Sequence, residues 1–157
     1  MRSVVADPTG GDRRLVEAIA LGHEIYALHE AGKDYSERLT RLGVVAGHPI
    51  HGFAVHAAFG SVKPETFAKR QLIDWNQLPA DLTEAEMLEM IDRICQVDGD
   101  EFQMEYWLAC LRTSTGDQKI SDLIFWPGSY FGDGNDTRMM SSSEILTTAL
   151  KANGRPR

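Results

Sequence analysis

The chain has 157 residues, of which 43% are hydrophobic and 25% charged, a composition that suits one soluble globular domain of ordinary size or two very small ones. No apolar run reaches the roughly 18 residues of a membrane span, and the beginning of the chain lacks the apolar region of a secretory signal. The two cysteines, Cys95 and Cys110, predict reduced thiols of a cytoplasmic protein and make a disulfide framework a poor interpretation.

The net charge of −7 comes from one half of the chain. Residues 1–77 hold nine acidic and nine basic side chains, whereas residues 78–157 hold fourteen and seven. An acidic half is repelled by nucleic acid and attracted to a basic protein surface, so we expect a protein partner and no nucleic acid. Acidic surfaces also keep proteins soluble, and charge alone does not choose between these interpretations.

Residues 1–77 are predicted to form a small helical unit of three or four pieces, after a frayed start at residues 1–11. The expected helices run from a cap at Asp12 to about Ala31, from Tyr35 to Leu42 and from Phe53 to Phe59, and a fourth begins at Pro64. Gly32 and Gly43 are expected to end the first two, with an irregular stretch from Val44 to Pro49.

Three histidines, His48, His51 and His56, raise the question of a metal site. A zinc ion needs three or four ligands that converge on one point, and here no cysteine is near and the carboxylates lie well away in sequence. Surface or half-buried histidines are the better interpretation, so we predict no metal and no cofactor. The chain offers no nucleophile–base pair either, and we do not expect an enzyme.

A boundary is predicted at residues 74–81, where Pro79 interrupts the pattern. Thr83 and Glu86 then form a capping box at the start of a helix that should end near Gln96. Asp100 can cap a second helix, which is apolar on more than one side. Its surplus apolar residues, Phe102 and Tyr106, are expected either to meet a partner or to pack against the first half of the chain.

The stretch Ser121–Pro127 places a carboxylate and two adjacent aromatic rings within about one turn, which Ser121 can cap and Pro127 stops. Neighbouring residues on a helix lie about 100° apart, so one ring, of Phe125 or Trp126, is expected to face outward beside Asp122. An exposed ring beside an acid is typical of protein–protein interfaces. The alternative is that residues 123–126 form a buried strand.

A long connection, Gly128–Met140, should follow, and Ser141 with Glu144 predicts a capping box for a last helix that runs to Asn153–Gly154. Together these elements predict an all-α protein with a unit at 1–77 and a domain at 78–157.

Three segments of residues 78–157 resemble the colicin/pyocin-type nuclease immunity proteins. Leu82–Leu88, running on to Asp98, resembles the first helix of that family, and Ser121–Pro127 resembles its Ser-Asp-Leu-Ile-Tyr-Tyr-Pro signature. Ser143–Ile145 and Ala152–Arg155 resemble its last helix and tail. The order and approximate spacing agree over about half of the chain.

The resemblance implies a four-helix domain with a very short third helix, which binds a bacterial HNH-type DNase toxin beside its active site and blocks access of DNA by bulk and negative charge. In that family the third helix supplies shared binding energy and the second helix selects the cognate toxin. By position, Ser121, Asp122, Phe125 and Trp126 correspond to the contact residues of the third helix. Both tyrosines of the signature are replaced here, so their phenol hydroxyls are absent.

The register of the second helix allows two sets of specificity positions. Counting back from Asp122 gives Glu101, Met104, Glu105, Leu108 and Arg112. Counting forward from Cys95 gives Phe102, Glu105, Tyr106, Ala109 and Thr113. We prefer the first count. The rival hypothesis is a non-enzymatic adaptor or regulator that uses the same fold, since a fold does not determine a function.

Overall fold

The computed structural model describes residues 1–152, and over this range every regular element is a helix, which confirms the all-α prediction. The helices are α1 (Ser3–Ala6), α2 (Leu15–Glu30), α3 (Ser36–Ala46), α4 (Gly52–Ala58), α5 (Pro64–Gln71), α6 (Glu84–Gln96), α7 (Glu101–Thr115), α8 (Ile120–Phe125), α9 (Pro127–Phe131) and α10 (Ser142–Ala152). The predicted end of the last helix at Asn153–Gly154, and the tail that resembles the family, lie outside the described residues.

The chain divides into two compact units. We call Pro8–Asp74 the neutral unit, and Met1–Asp7 together with Trp75–Arg157 the acidic unit. The second boundary falls inside the predicted seam, but the first seven residues join the acidic unit, where sequence reasoning had placed residues 1–77 together. The expected frayed start is wrong at this point, because Val5 is fully buried.

In the neutral unit, α2 packs against α3 and α5 around a core that includes Ile25, Leu42 and Phe67. Gly22 permits the close approach of α5, since a Cβ there would lie 2.7 Å from the Pro64 carbonyl oxygen. The helices that were predicted to begin near Phe53 and at Pro64 are present as α4 and α5.

Two predicted helix limits in the neutral unit are wrong. Gly43 lies inside α3, where its missing Cβ admits the His48 carbonyl oxygen, and the helix ends at Gly47 with a left-handed φ of 86°. Asp12 does not cap α2. Its carboxylate accepts hydrogen bonds from the backbone and guanidinium of Arg14, which holds the turn before the helix.

In the acidic unit, α6 and α7 both begin with a complete capping box, at Thr83 with Glu86 and at Asp100 with Gln103. The helix α10 packs against α6, α7 and α8. It starts where the sequence predicts, and the Glu144 amide donates to the Ser141 hydroxyl at 3.1 Å. The described part of this unit has six helices, so the four-helix layout implied by the resemblance stays a prediction for α6, α7, α8 and α10.

The N-terminal strap, residues 2–6, covers one side of α6 and α7. The indole N–H of Trp107 donates to the Val5 carbonyl at 3.2 Å, and the Arg2 guanidinium contacts Glu86 at 2.7 Å. Trp75 lies against the rings of Phe102 and Tyr106, with centroids 6.3 and 6.2 Å apart. The surplus apolar side of α7 is therefore covered from within the same unit, as the second of the two alternatives had it.

Candidate protein-binding surface

The helix α8 buries two of its apolar residues, and two aromatic rings are exposed where this helix ends. Ile120 and Leu123 are buried, while Phe125 is 42% and Trp126 59% exposed. The strand alternative for residues 123–126 is thus wrong, and both rings, where one was expected, are accessible. Asp122 is half-buried on the same short helix.

Trp126 stands at the junction between α8 and α9. Its amide donates to the Asp122 carbonyl at 2.6 Å, which closes α8, and its φ of −137° and ψ of 60° take the chain out of the helix. Its carbonyl accepts from the amides of Ser129 and Tyr130 at the start of the next turn. Because Trp126 has left the helical conformation, its ring is not bound to the 100° spacing that separates residues within one helix.

The second helix carries the preferred specificity positions along one accessible stripe. These five residues recur at helical spacing, and Glu101 is exposed while the other four, Met104, Glu105, Leu108 and Arg112, are half-buried. The rival count includes Phe102 and Tyr106, which are buried against Trp75. Accessibility therefore favours the first count.

The stripe on α7 meets α8 at Arg112, whose guanidinium donates to the Ser121 hydroxyl at 3.2 Å. Ser121 is not the cap that the sequence predicts, because α8 already begins at Ile120. Its hydroxyl serves instead as the acceptor that joins the two helices. Three carboxylates, of Glu101, Glu105 and Asp122, and this one guanidinium make the combined surface acidic.

Sequence reasoning missed a further helix in the segment that it assigned to a connection. α9 ends at Gly132, with a φ of 74°, and the side chains of Phe131 and Met139 are 42% and 94% exposed. Two aromatic residues followed by a glycine, the usual residue just beyond a helix, were the available signal.

A buried carboxylate holds α9 in place. The Tyr130 hydroxyl donates to Asp117 Oδ2 at 2.7 Å, and the Lys119 amide donates to Oδ1 at 2.9 Å. Burial, followed by the hydrogen bond to Asp117, raises the pKa of Tyr130 to about 12. The phenol therefore remains a donor throughout the ordinary pH range, and this contact fixes α9 against the turn between α7 and α8.

The loop after α9 folds over Gly128. Its amide donates to Asp136 Oδ1 at 2.9 Å, and its carbonyl accepts from the amides of Asp133 and Gly134. A Cβ at position 128 would lie 2.5 Å from the Asn135 amide nitrogen, so only glycine fits there without displacing the loop. The segment that includes Phe131 is therefore held in place by these hydrogen bonds.

The three histidines of the metal question do not converge. His48 Nε2 lies 2.8 Å from the Gln71 carbonyl oxygen, and the His56 ring lies against the edge of His29. Within residues 1–152, no group of three or more histidine, cysteine or carboxylate side chains is placed to hold a metal ion.

Within residues 1–152, no helix is both long and apolar enough to cross a membrane. Cys95 is exposed and Cys110 is buried, and both are free thiols.

The candidate protein-binding surface consists of Asp122, Phe125 and Trp126, the accessible stripe of α7, and Phe131, which the sequence did not identify. We call Phe125 and Trp126 the paired rings. Comparison of the chain with models of protein families, with curated proteins and with solved structures gives no match.

Proposed function

We propose that this protein is an immunity protein, which binds a nuclease toxin of the HNH DNase type and holds it inactive without any catalysis of its own. The observation that carries the proposal is the exposure of both paired rings beside Asp122, at the end of a short helix that Arg112 contacts through Ser121. The resemblance of Ser121–Pro127 to the immunity signature supports it independently.

In this proposal the acids and the rings have separate roles. A nuclease must present a basic surface to bind DNA, and Glu101, Glu105 and Asp122 attract such a surface over a distance and speed the encounter. The paired rings lose contact with water on docking and slow dissociation. The bound acidic unit then excludes DNA from the neighbouring cleft by its bulk and by its charge.

The replacement of two tyrosines defines the chemistry of the receiving pocket. Phe125 offers apolar area and no hydrogen-bonding group, and Trp126 offers a single indole N–H donor. A cognate nuclease should therefore present an apolar pocket with one acceptor, such as a backbone carbonyl. A toxin whose pocket relies on two phenol hydroxyls would lose those bonds with this protein.

The test is whether the neighbouring reading frame encodes an HNH-type nuclease domain, and whether this protein inhibits the cleavage of DNA by that domain. The wild-type protein should inhibit at one-to-one stoichiometry, and Trp126→Ala should raise the off-rate by about thirtyfold or more, since loss of an interface hot spot costs about 2 kcal/mol. Phe53→Ala is the matched control, because Phe53 is 80% exposed and lies in the neutral unit. Unchanged kinetics for both Trp126→Ala and Phe125→Ala would exclude this surface as the interface.

The rival function, an adaptor or regulator, is favoured by a different observation. Phe53 and Val16 of the neutral unit are 80% and 82% exposed, and nuclease binding through α7 and α8 uses neither. An adaptor would need this second set of apolar contacts. A metabolic or sensory operon around the reading frame, with Phe53→Ala and not Trp126→Ala losing a co-purifying partner, would favour this alternative.

A further inference from the structure

Arg138 lies on the face of an aromatic ring in the acidic unit. Its guanidinium carbon is 4.4 Å from the centre of the Phe131 ring, and its Nη2 forms an ion pair with Asp133. The ring is 42% exposed, so the arrangement stands at the surface. A planar guanidinium stacks on aromatic faces and pairs with carboxylates, so the ring and the acid together form a receptor for this group.

The fit of Arg138 to this receptor is incomplete. Its Nε is buried and has no hydrogen-bond acceptor among residues 1–152. A buried donor without an acceptor lowers the stability of the arrangement that contains it. Arg138 reaches Phe131 from only seven positions along the chain, which limits the angles at which it can approach.

We propose that Phe131 and Asp133 form a guanidinium-binding subsite, filled by Arg138 in the free protein and by an arginine side chain of the basic partner in the complex. The short chain segment that joins Arg138 to Phe131 does not restrict an arginine of the partner, so that arginine can orient its Nε–H towards an acceptor. Recognition of an arginine deepens the proposed function and rests on it for the identity of the partner. The subsite itself is a property of this chain alone.

The position of the subsite agrees with such a role. α9 starts at Pro127, directly after Trp126, and at about 1.5 Å per residue its last residue, Phe131, lies about 6 Å along the axis from Pro127. An arginine on a partner that covers Trp126 is therefore within reach of it. The net charge of −7, all of which belongs to this unit, attracts the incoming cation.

The subsite does not depend on Arg138 for its shape. The Phe131 ring packs edge-on against Tyr130 at 5.1 Å, and Tyr130 is tied to Asp117. The Asp133 amide donates to the Gly128 carbonyl at 3.1 Å. Removal of the Arg138 side chain should therefore leave the ring and the carboxylate in position and the face of the ring open.

The first experiment needs no nuclease. N-acetyl-arginine methylamide is titrated into Arg138→Ala while the amide resonances of Gly132 and Gly134 are followed by NMR. We expect saturable shifts with Arg138→Ala, and an apparent affinity at least about threefold weaker for the wild type, because Arg138 occupies the subsite for part of the time. The double variant Arg138→Ala/Phe131→Ala should show none. The neutral citrulline analogue controls for charge, and Arg41→Ala, in the neutral unit, controls for loss of any arginine.

Two results would overturn the subsite. In the first, the arginine probe shifts the amide resonances of Arg138→Ala no more than the citrulline analogue does. In the second, the arginine probe causes the same shifts in the double variant as in Arg138→Ala. The second experiment measures binding to the HNH-type nuclease domain. Arg138→Ala should tighten it by about threefold or more and Phe131→Ala should weaken it, and a gain of affinity is a result that damage to the fold does not produce.

The two proposals can fail separately. Arginine-probe binding without nuclease binding supports the subsite and refutes the nuclease partner. Nuclease binding that depends on Trp126 but is indifferent to both Phe131→Ala and Arg138→Ala keeps the immunity function and overturns the subsite as a partner contact.

Discussion

The two units differ in how they group their exposed aromatic side chains, since the neutral unit exposes one, Phe53, and the acidic unit exposes three that are close together in sequence. In the neutral unit, Tyr26 lies 5.4 and 5.7 Å from the rings of Phe59 and Phe67, and its hydroxyl donates to a backbone carbonyl. The acidic unit buries Trp107 completely, yet leaves three aromatic side chains exposed within seven consecutive residues, 125–131. A unit that can bury its rings but keeps a group of them in contact with water has a surface suited to a partner.

The two units also differ in net charge. The neutral unit balances eight acids with eight bases and pairs several across helices, such as Arg41 with Glu17 at 2.6 Å. The acidic unit holds fifteen acids against eight bases. Exposed ion pairs contribute about 0–1 kcal/mol each, so the balance in the neutral unit stabilises it little, whereas the surplus in the acidic unit creates a long-range field.

Truncation at the predicted boundary should have the largest effect. A fragment that begins at Leu78 lacks Val5, whose carbonyl accepts from Trp107, and Trp75, which covers Phe102 and Tyr106. We expect it to lose cooperative thermal unfolding and its near-ultraviolet circular dichroism signal. A chain in which a long Gly/Ser linker replaces residues 8–74 keeps the strap and should retain both. Equal stability of the two chains would show that the strap contributes nothing.

Substitutions at two glycines should distinguish an effect on stability from an effect on binding. A Cβ at Gly22 would lie 2.7 Å from the Pro64 carbonyl oxygen, and one at Gly128 would lie 2.5 Å from the Asn135 amide nitrogen. Either substitution by Ala should lower the free energy of unfolding by about 1–3 kcal/mol, measured by chemical denaturation. Only Gly128→Ala should also weaken binding of the nuclease domain, because it displaces the loop that carries the guanidinium subsite. Equal loss of affinity from Gly22→Ala would contradict the assignment of binding to the acidic unit.

The parts of the fold that depend on neighbours in sequence were predictable. The capping box of Thr83 with Glu86 and the proline at the first position of α5 fix their helix starts through contacts within one turn. Gly43 was misassigned because its role depends on His48 and Pro49, which approach it only when the turn after the helix is folded. The strap was missed for the same reason, since the partners of Arg2 and Val5 lie some 80 to 100 positions away in the sequence.

The residues of the candidate site also fall into two groups: those that the local sequence identifies, and those whose exposure depends on contacts with distant residues. Asp122, Phe125 and Trp126 lie within five consecutive residues, so the local pattern suffices to select them, although the exposure of both rings depends on the non-helical backbone of Trp126. The exposure of Phe131 depends on the contact of Tyr130 with Asp117, thirteen residues earlier, and on the loop that Gly128 admits. A Gly- and Asp-rich sequence has the composition of an open connection, which is why α9 was not expected.

The acid stability of the acidic unit should depend on the strap. The hydrogen bond from Arg2, followed by that from the Thr83 amide, lowers the pKa of Glu86 from 4.5 to about 2. A depressed pKa adds stability above the unfolded value of 4.5, and this contribution is lost as the pH falls towards about 2. Arg2→Ala should return the pKa of Glu86 towards its ordinary value and move acid unfolding to higher pH.

Circular dichroism between pH 7 and pH 2 measures this shift. Arg38→Ala in the neutral unit is the control, because Arg38 forms an exposed ion pair with Glu24 at 3.6 Å and should leave the transition unchanged. An identical acid transition in the wild type and Arg2→Ala would mean that Glu86 does not limit stability in acid.

Removal of a single acid from the rim should have the smallest effect. Glu101→Gln, at the exposed first turn of α7, should slow association with the nuclease domain by about threefold at low salt and leave the off-rate nearly unchanged, because its charge acts on approach. The difference should vanish at high ionic strength, where screening reduces the interaction. Glu30→Gln in the neutral unit makes the same change in net charge and should leave the association rate unaltered. If both variants slow association equally, net charge alone steers the encounter and the placement of acids on α7 is irrelevant to it.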